Sequence, residues 1–193
     1  MDKHFLLASL VGEKNARCLL ADHGGRLRDI VLNAAEPSCA YSHPGLIKIR
    51  AARQLVQEAL LEELGERPVM GSPAQVREYL RLVLEGRAYE VFLVLYLDAQ
   101  HHVLAAEELF RGTLTQTSVY PREVVKLALQ HNAAAVIFAH NHPSGVAEPS
   151  GADELLTRSL KQALALVDVK VLDHFIIGAG PGQILAFSEK GLL

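Results

Sequence analysis

The sequence predicts an α/β (α+β) fold, a central mixed sheet flanked by helices and preceded by a small helical region. Three observations predict it. Between residues 90 and 187 lie several apolar, β-branched or aromatic runs of strand length. Segments with apolar residues at helical spacing alternate with them. The first 70 residues are helical in pattern. The chain has 193 residues, 50% hydrophobic and 21% charged, enough to bury a core without disulfide staples.

The elements follow in order. Leu46–Leu64 has Leu46, Ile49, Leu55, Ala59, Leu60 and Leu64 near helical spacing and stops at Gly65, with His43-Pro44-Gly45 before it as a turn. Residues 67–71 form a linker, which divides the chain into a helical region, 1–70, and a larger domain, 71–193. Ser72-Pro73 supplies an N-cap and a proline in the first helical position of a helix to about Leu84, closed by Gly86. Glu90–Leu97 is nearly all apolar and suits a buried strand; Asp98–His101 is a turn and Val103–Phe110 the returning strand. Gly112–Ser118 is a loop, and Pro121 begins a helix with Glu123 in its first turn. Ala133–Ala139 is a third strand, Ser150 caps a helix to about Val167, Val169–Ile177 is a fourth strand, Gly178–Gly182 a turn and Ile184–Phe187 a short last strand.

Composition excludes several function classes. Lys+Arg 19 against Asp+Glu 22 leaves a net charge of −3, so no uniformly basic nucleic-acid surface is expected, although a local patch is allowed. Cys18 and Cys39 stand apart without a CxxC, which argues against a disulfide scaffold and a thiolate zinc site. No apolar run approaches the roughly 20 residues that span a bilayer. No secretory leader is evident, and the expected compartment is the cytoplasm.

The chemistry concentrates in His140-Asn141-His142-Pro143 and, after a loop, Ser150-x-x-Asp153. In an extended chain, side chains two apart point the same way, so His140 and His142 can face one point. Pro143 ends the strand. Asp153 falls in the first turn of the next helix, where the loop can bring it back to the imidazoles. Two histidines, a carboxylate and one open position are the ligand set of a catalytic zinc site. Alone, Ser150-x-x-Asp153 is close to an ordinary capping box, and the conjunction with HxHP is what makes it a metal site. Asn141, between the histidines, points away and helps to fix the loop. The dispersed residues of HNH nucleases, the HExxH of helical zinc proteases and the HxE…PCxxC of zinc deaminases are not matched.

HxHx7SxxD resembles the JAMM motif of JAB/MPN metalloproteases. The form AHNHPSGxxxPSxxD, preceded by Gly112-Thr113 and Pro121-Arg122-Glu123 and followed by Leu172-Asp173-His174, is similar to the bacterial RadC proteins from about Glu90 to Gly191. The resemblance implies a JAB/MPN fold related in shape to cytidine deaminases. It implies one Zn2+ per chain on His140, His142 and Asp153, and a peptide or protein substrate cut at an amide or isopeptide bond. It further implies that Ser150 supports the oxyanion and that an upstream glutamate at a strand start is the general base. Glu90 is the best match, with Glu107 and Glu108 as fallbacks. His174 is either a residue behind the metal ligands or a satisfied core histidine. Thr157 packs or bonds locally, Arg122 is a surface charge, and the cysteines are plain thiols. The RadC proteins carry a helix-hairpin-helix ahead of this domain, and Pro44–Lys48 resembles a degenerate one, with Lys48, Arg50 and Arg53 as its charges. The alternatives there are DNA binding, with the JAB domain holding metal without turnover, or a docking or structural role.

Overall fold

A computed structural model describes residues 2–35, 43–71, 73–112, 119–180 and 182–193, without the side chains of Ala35 and Met70. The expected cap Ser72, loop residues 113–118 and Cys39 lie outside the described residues. The chain forms two compact units, Met1–Ala59 and Leu60–Leu193.

The first unit contains α1 (Lys3–Val11), α2 (Glu13–Asp22), α3 (Leu27–Ala35) and the beginning of α4 (Pro44–Glu66). Leu7, Val11, Ala16, Leu19, Ile30, Ala34, Leu46 and Ile49 form its core. Two details correct the sequence reading. His43-Pro44-Gly45 is not a turn ahead of the helix but its start: the His43 carbonyl accepts from Leu46 N at 2.8 Å, and His43 Nδ1 accepts from Gly45 N at 3.1 Å. The helix also runs through Gly65 to Glu66, and Leu55, placed in its apolar stripe, is exposed. Of the three basic residues assigned to the hairpin, Arg50 donates to the Ala34 carbonyl at 2.9 Å. Arg53 is buried and reaches the Val31 carbonyl. Both guanidinium groups thus bond carbonyls in the C-terminal half of α3, the end of a helix where positive charge is favoured.

The second unit follows the expected order closely. α5 (Pro73–Leu84) leads into β1 (Val91–Leu97) and β2 (Val103–Arg111), then α6 (Pro121–Gln130), β3 (Ala135–Asn141), α7 (Gly151–Ala165), β4 (Lys170–Ile177), β5 (Ile184–Ala186) and α8 (Phe187–Lys190). The sheet order is β2-β1-β3-β4-β5, with β3 and β4 parallel and the other pairs antiparallel. Strand alternation loads both faces. Leu93, Leu95 and Leu97 pack with Val76, Leu80 and Leu84 of α5. Phe92, Val94 and Tyr96 pack with Val124 and Ala128 of α6 and with Leu160 and Leu164 of α7. Every residue of β1 and β3 is buried, as expected for strands covered on both faces.

Several expected boundaries shift by one or two residues, the first strand beginning at Val91 and leaving Glu90 just ahead of it, and two further shifts change what an element carries. The third strand continues through His140 and Asn141 instead of ending at Ala139, because both remain paired with β4, opposite Ile176 and Ile177. The final strand ends at Ala186, and Phe187, expected as its last residue, begins a short helix.

The β4–β5 connection buttresses the loop after β3. Ala179 N donates to Gly145 O at 2.9 Å, and Ala147 N donates to Gln183 Oε1 at 3.1 Å. Gly178 has no room for a side chain: a Cβ would stand 2.9 Å from the Gly145 carbonyl carbon and 3.0 Å from Ala147 N. Gly178→Ala must therefore push the loop away, and should cost about 1–3 kcal/mol in denaturant unfolding. An unchanged midpoint and slope would show that the loop is not held there.

Candidate metal centre

β3 carries His140 near its C-terminal end, His142 follows directly after the strand, and α7 delivers Asp153 from its first turn. One ligand atom from each lies within 4.8 Å of the others. His140 Nε2 is 3.0 Å from His142 Nε2 and 3.3 Å from Asp153 Oδ1, and His142 Nε2 is 3.6 Å from Asp153 Oδ2. Ligands at about 2.0–2.1 Å from a tetrahedral ion are separated by about 3.3 Å, so the spacing fits. His140 is buried and the other two are partly shielded.

The donor chemistry also fits a cation. His142 Nδ1 is 2.9 Å from the Val146 carbonyl, which can only accept, so Nδ1 carries the proton and Nε2 presents its lone pair inward. Asp153 divides its carboxylate. Oδ2 accepts from Ser150 N and from Ser150 Oγ, each at 2.7 Å, while Ser150 Oγ accepts from Asp153 N at 3.2 Å. Oδ1 faces His140. The capping box and the convergence on the histidines are therefore one arrangement.

Burial alone would raise the pKa of Asp153. Hydrogen bonds from His140, His142 and Ser150 and the charge of His140 overcome it, holding the carboxyl well below the usual range. The hydrogen bond with Asp153 raises His142 above its ordinary 6.5, against the opposing effect of burial; Val146 O and the charges of Asp153 and Glu90 add to the rise. Burial drives His174 well below the ordinary histidine value.

The three glutamates separate. Phe92 pairs with His140 across β1 and β3, and continuing that register by two places sets Glu90 level with His142. Glu90 is half-buried. Glu108 pairs with Leu93, whose side chain lies in the α5-side core, and is engaged by Arg87 at 2.6 Å and Arg111 at 3.1 Å. Glu107 is held by His131 at 2.6 Å. Arg122 is a surface charge beside Glu123, and Cys18 is exposed, its thiol pushed up by the hydrogen bond with Asp22.

Asn141 does point away from the histidines, but it fixes the neighbouring strand instead of its own loop. Its Oδ1 accepts from Val91 N at 2.8 Å and its Nδ2 donates to Tyr89 O at 3.0 Å, so it grips the residues on either side of Glu90. The link from His140 through His174 to Thr157 is closed by hydrogen bonds of 2.8 and 2.6 Å. The sequence marks His174 only as an imidazole in an apolar strand.

His140→Ala and Asp153→Ala should each abolish stoichiometric binding of a divalent metal, measured by metal analysis of dialysed protein. Full metal content in both variants would refute the ligand set. The pH dependence has a definite sign. A raised His142 pKa means that the ion competes with a proton to higher pH than at an ordinary histidine. Affinity should therefore already fall as pH is lowered toward the ordinary histidine value of 6.5, and keep falling below it, with a proton released on uptake in calorimetry. A flat profile would contradict His142 as a ligand.

Residues 70–192 match the family model described as the RadC-like JAB domain. A UPF0758 protein of Dechloromonas aromatica is 58% identical over 181 residues, covering 92% of this chain and 80% of that protein. One from Nitrosomonas eutropha is 53% identical over 197 residues, covering 98% and 86%. One from Nitrosomonas europaea is 62% identical over 146 residues, covering 76% and 64%. A strand-end HxHP meeting a capped aspartate on this sheet is thus accompanied by a family match over well over half of the sequence, and the chain belongs to the RadC-like JAB domain family.

Proposed function

We propose that the chain is a zinc-dependent hydrolase of peptide or isopeptide bonds, acting in the cytoplasm on a peptide or protein substrate. The observation that carries this reading is the convergence of His140 Nε2, His142 Nε2 and an Asp153 oxygen, with Glu90 level with His142 on the adjacent strand. Two imidazoles and a carboxylate suit zinc and leave a fourth position for a reactant. When bound, zinc supplies Lewis acidity, polarising a carbonyl and making water acidic enough to ionise near neutral pH.

The residues of the chain do the rest. His140 and His142 would hold the ion as neutral ligands, and Asp153 would contribute one negative charge. Glu90 takes a proton from the attacking water and passes it to the leaving amine, which keeps the proton count balanced across the step. Asn141 keeps the backbone on both sides of Glu90 in place. Ser150 donates to the developing oxyanion, which requires its O–H to leave Asp153 Oδ2 by rotation about one side-chain torsion. Among the described residues, no helix is long and apolar enough to cross a membrane.

The test is to incubate zinc-loaded protein with a peptide library and with isopeptide-linked conjugates, mapping new amines by mass spectrometry. Glu90→Gln should keep zinc and lose turnover by about 10²–10⁴-fold. A variant that cleaves at the normal rate would assign the base elsewhere. Wild-type protein that carries zinc and cuts nothing in either set would contradict the hydrolase reading.

A further inference from the structure

His174 is an imidazole with 0% exposure, enclosed by Phe92, Phe138 and Phe187 at ring-centroid distances of 5.7, 5.8 and 4.7 Å. An aromatic or aliphatic side chain would fill such a box without desolvating two polar nitrogens. The polarity is matched: His174 Nε2 faces His140 Nδ1 at 2.8 Å, and His174 Nδ1 faces Thr157 Oγ1 at 2.6 Å. Thr157, 1% exposed, donates to the backbone carbonyl of Asp153 at 2.6 Å. The topology builds this contact. His174 pairs with Phe138 on the parallel strand, two residues before His140 and on the same face of the sheet, under the first turns of α7.

The direction of each proton follows from the far end of the chain of contacts. A backbone carbonyl only accepts, so the single Thr157 hydroxyl hydrogen goes to Asp153 O. Thr157 Oγ1 must then accept, and His174 Nδ1 carries the hydrogen that it receives. Neutral His174 is left with a bare Nε2, which accepts from His140 Nδ1–H. His140 consequently keeps its lone pair on Nε2, the atom that faces Asp153 and His142.

We propose that His174 and Thr157 are positioning residues for the metal site, a buried relay from the Asp153 carbonyl to His140 that locks His140 in the Nε2-ligating tautomer. The proposal rests on the reading of His140, His142 and Asp153 as metal ligands. It has a chemical consequence. An imidazole ligand is often backed by a carboxylate, which adds negative charge behind the metal. Here a neutral imidazole does that work, so orientation is fixed without the added charge and the ion keeps more of its Lewis acidity. The relay also joins β3, β4 and α7, so both ligand-bearing elements are held by one line of hydrogen bonds.

The experiment is a Co2+ titration of metal-free wild type, Thr157→Val, Thr157→Ser, His174→Gln and His174→Phe, with folding checked by circular dichroism and thermal melts. Wild type should bind one ion with a tetrahedral visible spectrum. Thr157→Val keeps the shape but removes the hydroxyl, and should weaken binding by about 10–100-fold with an altered spectrum. Thr157→Ser should restore both, and His174→Gln, whose amide oxygen can take the His140 proton, should bind better than His174→Phe. A folded Thr157→Val with wild-type affinity and spectrum overturns the relay and leaves the metal reading intact. Wild type that binds no Co2+ overturns the metal reading itself. If Thr157→Val does not fold, the tautomers of metal-free wild type decide through long-range nitrogen–proton NMR. Nδ1–H on His140 supports the relay, and Nε2–H overturns it.

Discussion

The two oxygens of one carboxylate do different things, and the site depends on that division. Asp153 Oδ2 closes a capping box with the backbone and hydroxyl of Ser150, so the start of α7 is fixed in position and direction. Oδ1 is thereby turned toward His140. A carboxylate held only by the cap would point at its own helix end, and one held only by the histidines would leave the first turn of α7 without its cap. The same side chain satisfies both demands because β3 ends beside the N-terminus of the helix that follows it.

The sheet explains why those two ends meet. β3 and β4 are parallel, so the connection between them must cross the face of the sheet, and α7 is that crossover. Antiparallel β1 lies on the other side of β3 and presents its beginning where β3 presents its end. Strand ends, a helix start and a strand start therefore collect at one edge, the setting in which open α/β sheets place their ligands. Packing on the two faces supports this edge: α5 covers one side of the strands, and α6 and α7 cover the other. The loop between His142 and Ser150 is held in turn by the β4–β5 connection, where the absence of a side chain at Gly178 lets two backbones approach.

Much of this was legible in the sequence because it depends on short-range rules. The alternation of an extended chain places His140 and His142 on one face, and a serine three residues before an aspartate announces a helix start. The strands of the second unit stand out as buried runs between turn residues. What escaped depends on partners distant in sequence. His140 and Asn141 belong to the strand because β4 pairs with them, which the local polarity of His-Asn-His hides. The two faces of β2 separate Glu107 from Glu108, but a β-bulge between Phe92 and Leu93 makes that parity invisible without the register. The grip of Asn141 on residues 89–91 spans about fifty positions. The basic residues of α4 look free to meet phosphate until Arg50 and Arg53 are seen at the carbonyls of α3. The helices α1, α2 and α3 are short and carry no strong individual signal, so only their common helical character was readable.

The central claim is that His140, His142 and Asp153, gathered where β3 ends and α7 begins, share one divalent ion. Anomalous diffraction at the zinc edge from crystals of the zinc-loaded protein tests it most directly. The account predicts one peak at about 2.0–2.2 Å from His140 Nε2, His142 Nε2 and an oxygen of Asp153. A peak bound through the Nδ1 atoms, or zinc ordered at another place with these three side chains bonded only to one another, would contradict it.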